Sequence, residues 1–424
     1  MAEQPIQVDV QISGQDVPAG RLWTHRHGQS ESATFSYLDS YLQSADAYEL
    51  DPGLPLQAGQ HQTTLDHPLF GAMTDCAPDG WGRRLMRRAE HQRAREAGRQ
   101  PRALAEIDFL LGARDDLRQG SLRFRGRDSG RYLAVDSEGV PQLIGLSRLL
   151  GAAEELERDE PSSEDLRLLL HGGSSLGGAR PKAHVLDGEG RLAIAKFPSP
   201  KADEWDVIRW EAVALTLAEA AGMTVPEHEL HNIEDRPVLV VRRFDRDASG
   251  RIGYASAMTM LEAKDGERAS YLEIAEAIEE RSVDAGADLQ ELWRRIVFTI
   301  LISNTDDHLR NHGFLRQSTA GWSLSPAFDL NPNPEGAAKH LATAIDERNT
   351  EASLATALEI ASLFRLSQEP ARAIVGEVSA ATERWRDVAQ AAGLGAGQLE
   401  RLEPAFEHEQ SVTARELRTA AGRW

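Results

Sequence analysis

Cysteine is almost missing from this chain, with Cys76 the only one in 424 residues. A lone thiol excludes an intramolecular disulfide framework and a cysteine-based zinc site, and it fits a reducing compartment. Long apolar runs are missing too. No stretch of about 18 apolar residues is there to span a bilayer, and Met1 to Ser13 has neither a basic n-region nor an apolar h-region. The expectation is a cytoplasmic protein with no membrane partner. Positive charge is scarce: 47 Lys and Arg stand against 67 Asp and Glu, a net charge of -20. That balance argues against a surface that grips a polyphosphate backbone by itself. Internal repeats and low-complexity segments are absent, and the length suffices for two or more lobes with sizeable cores.

The most informative stretch is Ser303-Asn304-Thr305-Asp306-Asp307-His308-Leu309-Arg310-Asn311, followed by Ser325-Pro326-Ala327-Phe328-Asp329-Leu330. Phosphoryl transfer needs an Asp to orient the acceptor hydroxyl, an Asn to hold metal and a second Asp for Mg²⁺. In protein-kinase catalytic loops the Asn lies five positions after the Asp. Asp306 and Asn311 have that spacing, whereas Asp307 does not. Asp306 is thus the candidate catalytic residue, with Asn311 and Asp329 as candidate metal ligands. Asp329 stands where a kinase carries Asp-Phe-Gly, although here Phe328 precedes the Asp. The bland alternative is a cluster of loop and cap residues.

From the amino terminus, short strands are expected at the alternating Val8, Val10 and Ile12, at Leu22-Trp23, and at Ala33 to Tyr37. Pro78-Asp79-Gly80-Trp81-Gly82-Arg83 reads as a turn opening a helix. Arginines 83, 84, 87, 88, 93, 95, 99 and 102 follow, opposed locally only by Glu90 and Glu96. They read as a solvated helix face, with docking of an acidic partner as the alternative. Helices are expected at Leu146 to Leu156 and Ser163 to Leu170.

A glycine-rich stretch, His171 to Lys182, comes next. It lacks the Gly-Lys-Ser/Thr ending of a Walker loop, but its glycines allow backbone N–H groups close to phosphates and Lys182 adds a cation. The apolar run Leu192-Ala193-Ile194-Ala195-Lys196 reads as a buried strand ending in Lys. A helix over about Asp203 to Ala221 carries Glu211 beside its apolar stripe, so Lys196 and Glu211 are expected to pair. Gly222 suits the helix end. Strands at His228 to Ile233 and Pro237 to Val241 then lead into Arg242-Arg243-Phe244, in the place of an adenine-binding hinge. Beyond it the pattern turns helical, at Tyr271 to Arg281 and then from an Asp288 cap through Leu301. A hairpin of Gly313 to Leu315 with Trp322 to Leu324 follows, and the pattern is helical again from Ala352 to Trp424, broken at Ser367 to Pro370 and Gly393 to Gly397.

Together, Pro78-Asp79-Gly80-Trp81-Gly82-Arg83, Ser175-Leu176-Gly177-Gly178-Ala179-Arg180-Pro181-Lys182, Phe244-Asp245-Arg246 and Thr305 to Asn311 resemble the HipA-type serine/threonine kinases, the toxins of bacterial toxin–antitoxin pairs. The resemblance implies an α+β, two-lobed protein-kinase-like fold. Its β-rich N-terminal lobe would include a HipA-type subdomain at 1–110 and a nucleotide-binding part at 111–248, and a mostly helical catalytic lobe would occupy 249–424. It also implies ATP and Mg²⁺. Gly177, Gly178, Ala179, Arg180, Pro181, Lys182 and Lys196 would hold phosphates, and Arg242, Arg243 and Phe244 would hold adenine. His308, Leu309, Arg310 and Asn311 would contact nucleotide and metal, and Phe328 and Asp329 would complete the site. Ser175 would be an autophosphorylation site.

The implied partners are a protein substrate such as an aminoacyl-tRNA synthetase and a small helix-turn-helix antitoxin, with DNA reached only through the antitoxin. Asp307 stands where some relatives have Gly, which leaves open which carboxylate acts. Arg242 likewise stands where some members have Glu. A small-molecule phosphotransferase and a non-catalytic nucleotide-binding regulator are the competing expectations.

Overall fold

The alternation around Val8 builds β1 (Ile6–Ile12), which a turn with positive φ at Ser13 and Gly14 reverses into β2 (Gln15–His27). Strand β2 pairs antiparallel with β3 (Ser30–Tyr37), and β3 pairs with the short β4 (His61–Gln62). The opposite edge is covered by β5 (Leu122–Arg125), giving the order β4-β3-β2-β1-β5 with one strand drawn from beyond residue 110. Val8, Val10, Leu22, Phe35 and Phe124 are buried here, each large apolar side chain contributing roughly 1.5–3 kcal/mol. The computed structural model describes residues 5–421 apart from 29, 65, 127–129, 135–138, 160, 337 and 348. The end of the expected C-terminal helical region at Trp424 lies outside them.

A second antiparallel sheet has the order β6-β7-β9-β8, made of β6 (Lys182–Leu186), β7 (Leu192–Lys196), β8 (His228–Ile233) and β9 (Arg236–Arg242). Strand β9 is interior, which accounts for its unbroken run Val238-Leu239-Val240-Val241, all buried. Helix Val207–Ala220 starts a few residues later than expected. Asp206 caps it by accepting the Arg209 N–H at 3.0 Å, while Asp203 is occupied with Ser199 N and Arg180 Nε at 2.8 and 2.7 Å. Gly222, at φ +77°, follows its end.

This sheet shares a core with the helices Gly80–Glu96, Leu146–Glu157 and Ser163–Gly173, through Trp81, Leu85, Leu150, Leu169, Ala195 and Val240. The last of these helices absorbs His171, Gly172 and Gly173, so the glycine-rich loop proper is shorter than expected and begins at Ser174. Most arginines of the basic segment are paired with carboxylates, several of them distant in sequence. Arg83 meets Glu106 at 2.6 Å, Arg84 meets Glu157, Arg88 meets Asp159, and Arg99 meets Glu90 at 2.6 Å. The segment is therefore partly stitched to its surroundings, while Arg87, Arg93, Arg95, Arg99 and Arg102 stay exposed.

In the second half, β10 (Arg246–Asp247) and β11 (Gly250–Arg251) form a small ribbon. The expected hairpin is longer than anticipated, β13 (Gly313–Ser318) against β14 (Gly321–Leu324), and β12 (Gly253–Ser256) adds a third strand beside β13. Helix Tyr271–Arg281 falls on its expected bounds. The next helix, Ala285–Leu301, is capped by Asp284 and not by Asp288. Asp288 lies inside its first turn and accepts from Ser282 Oγ at 2.6 Å and Leu324 N at 2.9 Å, tying the helix to β14. Pro370 sits in the first turn of helix Gln368–Thr382, where its missing N–H breaks no helical bond. Among the described residues no helix is long and apolar enough to cross a membrane.

Candidate active site

Lys196 ends β7 as the chain leaves the sheet, and Glu211 lies one turn into the helix Val207–Ala220 that packs beside it. The expected pair forms: Lys196 Nζ donates to Glu211 Oε1, and also to Asp329 Oδ1 at 3.0 Å. Glu211 is 3% exposed, so only a partner makes its carboxylate tolerable there. Burial opposes the Lys196 charge, but Asp329 and Glu211 outweigh it and the ammonium pKa is raised. Lys196 in turn holds Asp329 well below the usual carboxylate range, while burial pushes Glu211 up. Lys182, at the start of β6, is lowered by burial and then by the neighbouring Lys196. Two lysines and two carboxylates thus share one end of the cleft.

Helix Ala285–Leu301 is buried along Ile296, Val297, Ile300 and Leu301 and runs straight into the loop that carries Asp306. Ser303 enters this loop at φ +53° and Asp329 sits at φ +60°, a strained backbone region for residues with a Cβ. The two segments are tied together, Asn333 Nδ2 to Thr305 Oγ1 at 2.7 Å and Asn333 N to Ser303 O at 3.2 Å.

The two adjacent carboxylates differ in their surroundings. Asp306 is exposed, whereas Asp307 is 3% exposed and accepts the Tyr271 hydroxyl at 2.5 Å. His312 Nε2 lies 3.3 Å from Asp307, and Thr343 Oγ1 donates to its backbone carbonyl at 2.6 Å. Partial desolvation, with Asp329 nearby, raises Asp306 despite His308. Burial alone would raise Asp307, yet His312 and Tyr271 hold it low. Asn311 is buried, its amide donating to the Asp306 carbonyl at 3.2 Å.

Between the lobes lies a cavity of about 130 Å³ lined by Leu176, Ile194, Leu215, Val241, Phe244 and Phe328, with Lys196, Glu211 and Asp329 at its polar end. It is smaller than the ~300–1,000 Å³ of most ligand pockets, which suits a site that encloses one ring system and leaves charged groups in the open cleft. The Phe244 and Phe328 rings lie 5.5 Å apart, centroid to centroid. Arg242 and Arg243 line the wall, but their side chains turn to other partners: Arg242 to Glu227, and Arg243 to Asp245, Leu117 O and His184 Nε2. What this segment offers the cavity is its backbone and the Phe244 ring.

The remaining expected residues divide. Gly177 and Ser175 reach the cavity wall, Ser175 being 7% exposed with its hydroxyl donated to Leu117 O at 3.2 Å. Gly178 and Ala179 are exposed above it, Arg180 pairs with Asp203, and Pro181 is buried. On the loop that follows Asp306, Leu309 is buried, and Arg310 lies 3.5 Å from Asp265 and 3.9 Å from Asp79. Tyr271, His312, Thr343 and Asn333 were not anticipated as supports of the site. Only Tyr271 had a local signal, since it opens a helix whose Ser270 and Glu273 form a capping box.

Comparison with known proteins finds residues 174–385 matching the HipA-like C-terminal domain and residues 10–104 matching the HipA N-terminal domain. A Sinorhizobium fredii protein named "Putative kinase Y4dM" is 28% identical over 159 residues, covering 34% of this chain and 38% of that protein. A Haemophilus influenzae protein named "Putative kinase" is 27% identical over 143 residues, covering 30% and 42%. The chain thus matches well under half the length of these two relatives. Among solved structures, the HipA chain of a Shewanella oneidensis complex of HipA, HipB and operator DNA superposes with a TM-score of 0.66 at 16% identity, covering 98% of this chain and 99% of that one. At that identity the likeness concerns the fold.

Proposed function

The chain belongs to the HipA family, whose C-terminal domain spans half its length, and from that premise we propose that it is an ATP- and Mg²⁺-dependent serine/threonine protein kinase acting as a toxin. The observation that carries this reading is the joint placement of Lys196 between Glu211 and Asp329, with the exposed Asp306 close enough to Asp329 to feel its charge. The residues fit such a cosubstrate. The apolar walls at Ile194, Leu215, Val241, Phe244 and Phe328 suit a purine, and Lys196 at the polar end, with Lys182 near it, suits phosphates. Asn311 and Asp329 offer oxygen ligands of the kind a hard cation takes, and Mg²⁺ held there supplies neutralisation of phosphate charge.

Asp306 would accept a hydrogen bond from the acceptor hydroxyl, orient it and take its proton as the new O–P bond forms and the bond to ADP breaks. Lys196 would hold the phosphates, with Glu211 fixing its direction. Asp307 would take no part in proton transfer, since Tyr271 and His312 occupy it. The substrate proposed is a protein of the translation apparatus such as an aminoacyl-tRNA synthetase, and the restraining partner a small helix-turn-helix antitoxin that alone touches operator DNA. The likeness to a HipA solved with HipB and DNA supports that partnership.

Incubation with γ-labelled ATP, Mg²⁺ and host lysate tests the proposal, with the Asp306→Asn variant as control. A labelled protein band that the variant does not produce is the expected result. Label on a small metabolite would point to a small-molecule phosphotransferase, and ATP binding without turnover to a regulator.

A further inference from the structure

The motif Pro78-Asp79-Gly80-Trp81-Gly82 opens helix Gly80–Glu96, yet the helix start is capped in an unusual way. An Asp at the N-cap normally accepts the free N–H groups of the second and third helical residues. Asp79 makes no such bond to its own helix. Its Oδ1 instead accepts the N–H of Gly178, 99 residues away in the glycine-rich loop. The two helix donors it leaves free go to the same loop: Trp81 N donates to Gly178 O at 2.7 Å and Gly82 N to Leu176 O at 3.0 Å. Helix start and loop therefore satisfy each other, three bonds in all, as a capping box shared between distant segments.

The approach is close enough to require glycine. A Cβ on Gly82 would stand 2.6 Å from Leu176 O, and one on Gly80 would stand 2.5 Å from Gly178 O. The helix side of the contact is anchored, because Trp81 is fully buried in the core under the nucleotide sheet. The loop side is exposed at Gly178 and Ala179. The other carboxylate oxygen of Asp79 lies 3.9 Å from Arg310 on the loop that follows Asp306.

We propose that Asp79 is a positioning residue for phosphoryl transfer: with the first turn of its helix it clasps the glycine-rich loop at Leu176 to Gly178 and aligns it with Arg310, fixing where the loop meets the phosphates of ATP. The inference rests on reading that loop as the phosphate-binding element. Asp79 touches neither nucleotide nor acceptor. It acts through Gly178, so its loss acts first on ATP binding and less on the chemical step.

Hydrogen exchange of the full chain without nucleotide tests the clasp separately from function. Asp79→Ala speeds amide exchange across 176–180, while exchange in helix Ala285–Leu301 stays unchanged. In steady-state kinetics the same variant raises KM for ATP about 10-fold or more with a smaller change in kcat, the scale of one lost charge-assisted hydrogen bond. Asp79→Asn keeps an oxygen for the Gly178 N–H and restores KM to within about 3-fold. Gly80→Ala is the second route should Asp79→Ala fold poorly. Gly80 is exposed, so the added methyl meets the loop carbonyl without entering the core, and it reproduces the faster loop exchange. Unchanged exchange at 176–180 in both variants overturns the clasp. Faster exchange with no rise in KM overturns its role in placing ATP. A wild-type chain that neither binds nor turns over ATP overturns the kinase proposal instead, and the exchange result still stands by itself.

Discussion

Tyr271 gives its hydroxyl to Asp307 at 2.5 Å, and that bond separates two adjacent carboxylates into one tied into the interior and one left exposed. Asp307 is buried while Asp306 is exposed. Asp306→Asn is expected to lose ~10²-fold or more of phosphoryl transfer with its melting temperature and ATP binding close to wild type. Asp307→Ala should lose stability, because Tyr271 and His312 are left in a buried site without their acceptor, costing about 1–3 kcal/mol. Activity and thermal unfolding of the two variants check this. Exchange of the two phenotypes would reverse the assignment.

The Lys196 and Glu211 side chains should behave as a unit. Each single substitution to Ala is expected to cut kcat/KM for ATP strongly, and the double variant should be little worse than either single. Residues in contact show coupling of about 0.5–3 kcal/mol in such cycles. Asp329 complicates the pair, since Lys196 bonds both carboxylates. A third cycle, Lys196 with Asp329, should show coupling as well. Additive losses in the first cycle would mean that Glu211 does not orient Lys196.

These two groups of residues differ in how far they could be read from sequence. Lys196 and Glu211 were legible because each sits at a position fixed by local pattern, the end of an apolar strand and the edge of an amphipathic helix. Asp306 was legible through its spacing from Asn311. The burial of Asp307 was not, because its partners Tyr271, His312 and Thr343 meet it through tertiary packing. The cap of helix Ala285–Leu301 was not legible at the right residue because Asp284 and Asp288 both carry a start signal; they differ in that Asp284 accepts the Ala287 N–H of its own helix, whereas Asp288 accepts from Ser282 Oγ and from the Leu324 N–H. The bonds between Asp79, Trp81, Gly82 and the glycine-rich loop are mostly backbone to backbone, and no side-chain pattern announces them.

Asp51 gives a pH-dependent stability. It is 3% exposed, accepts the Ala72 N–H at 2.9 Å, and burial pushes its pKa up to about 6. An acid whose folded pKa lies above its unfolded value takes up a proton on folding between the two. Stability therefore falls as pH rises from about 4 to about 6, by roughly 3 kcal/mol at 1.36 kcal/mol per pH unit. Asp51→Asn removes this contribution, so urea unfolding at about pH 4.5 and about pH 7.5 should show the variant gaining on wild type at the higher pH. Parallel pH dependences for the two proteins would show that Asp51 ionises normally.

Self-modification at Ser175, if the proposed kinase activity holds, would be consequential because of where the residue sits. It is 7% exposed, donates its hydroxyl to Leu117 O at 3.2 Å and lines the cavity beside Lys196. The buried hydroxyl is already given to Leu117 O, so modification is expected to need the segment from Ser175 to Gly178 to leave its bonds first. Once attached, a group carrying roughly -1.5 to -2 charges does not fit back beside Leu117 O, and it repels the phosphates of incoming ATP. Phosphorylation at Ser175 is therefore expected to hold the loop out and switch the protein off. Mass spectrometry after incubation with Mg²⁺ and ATP should find Ser175 modified in wild type and unmodified in Asp306→Asn. Ser175→Asp should bind ATP at least ~10-fold more weakly, a difference of about 1.4 kcal/mol. An active preparation with Ser175 unmodified, or a Ser175→Asp variant with normal ATP affinity, would remove the switch and leave Ser175 as a hydrogen-bonding residue of the loop.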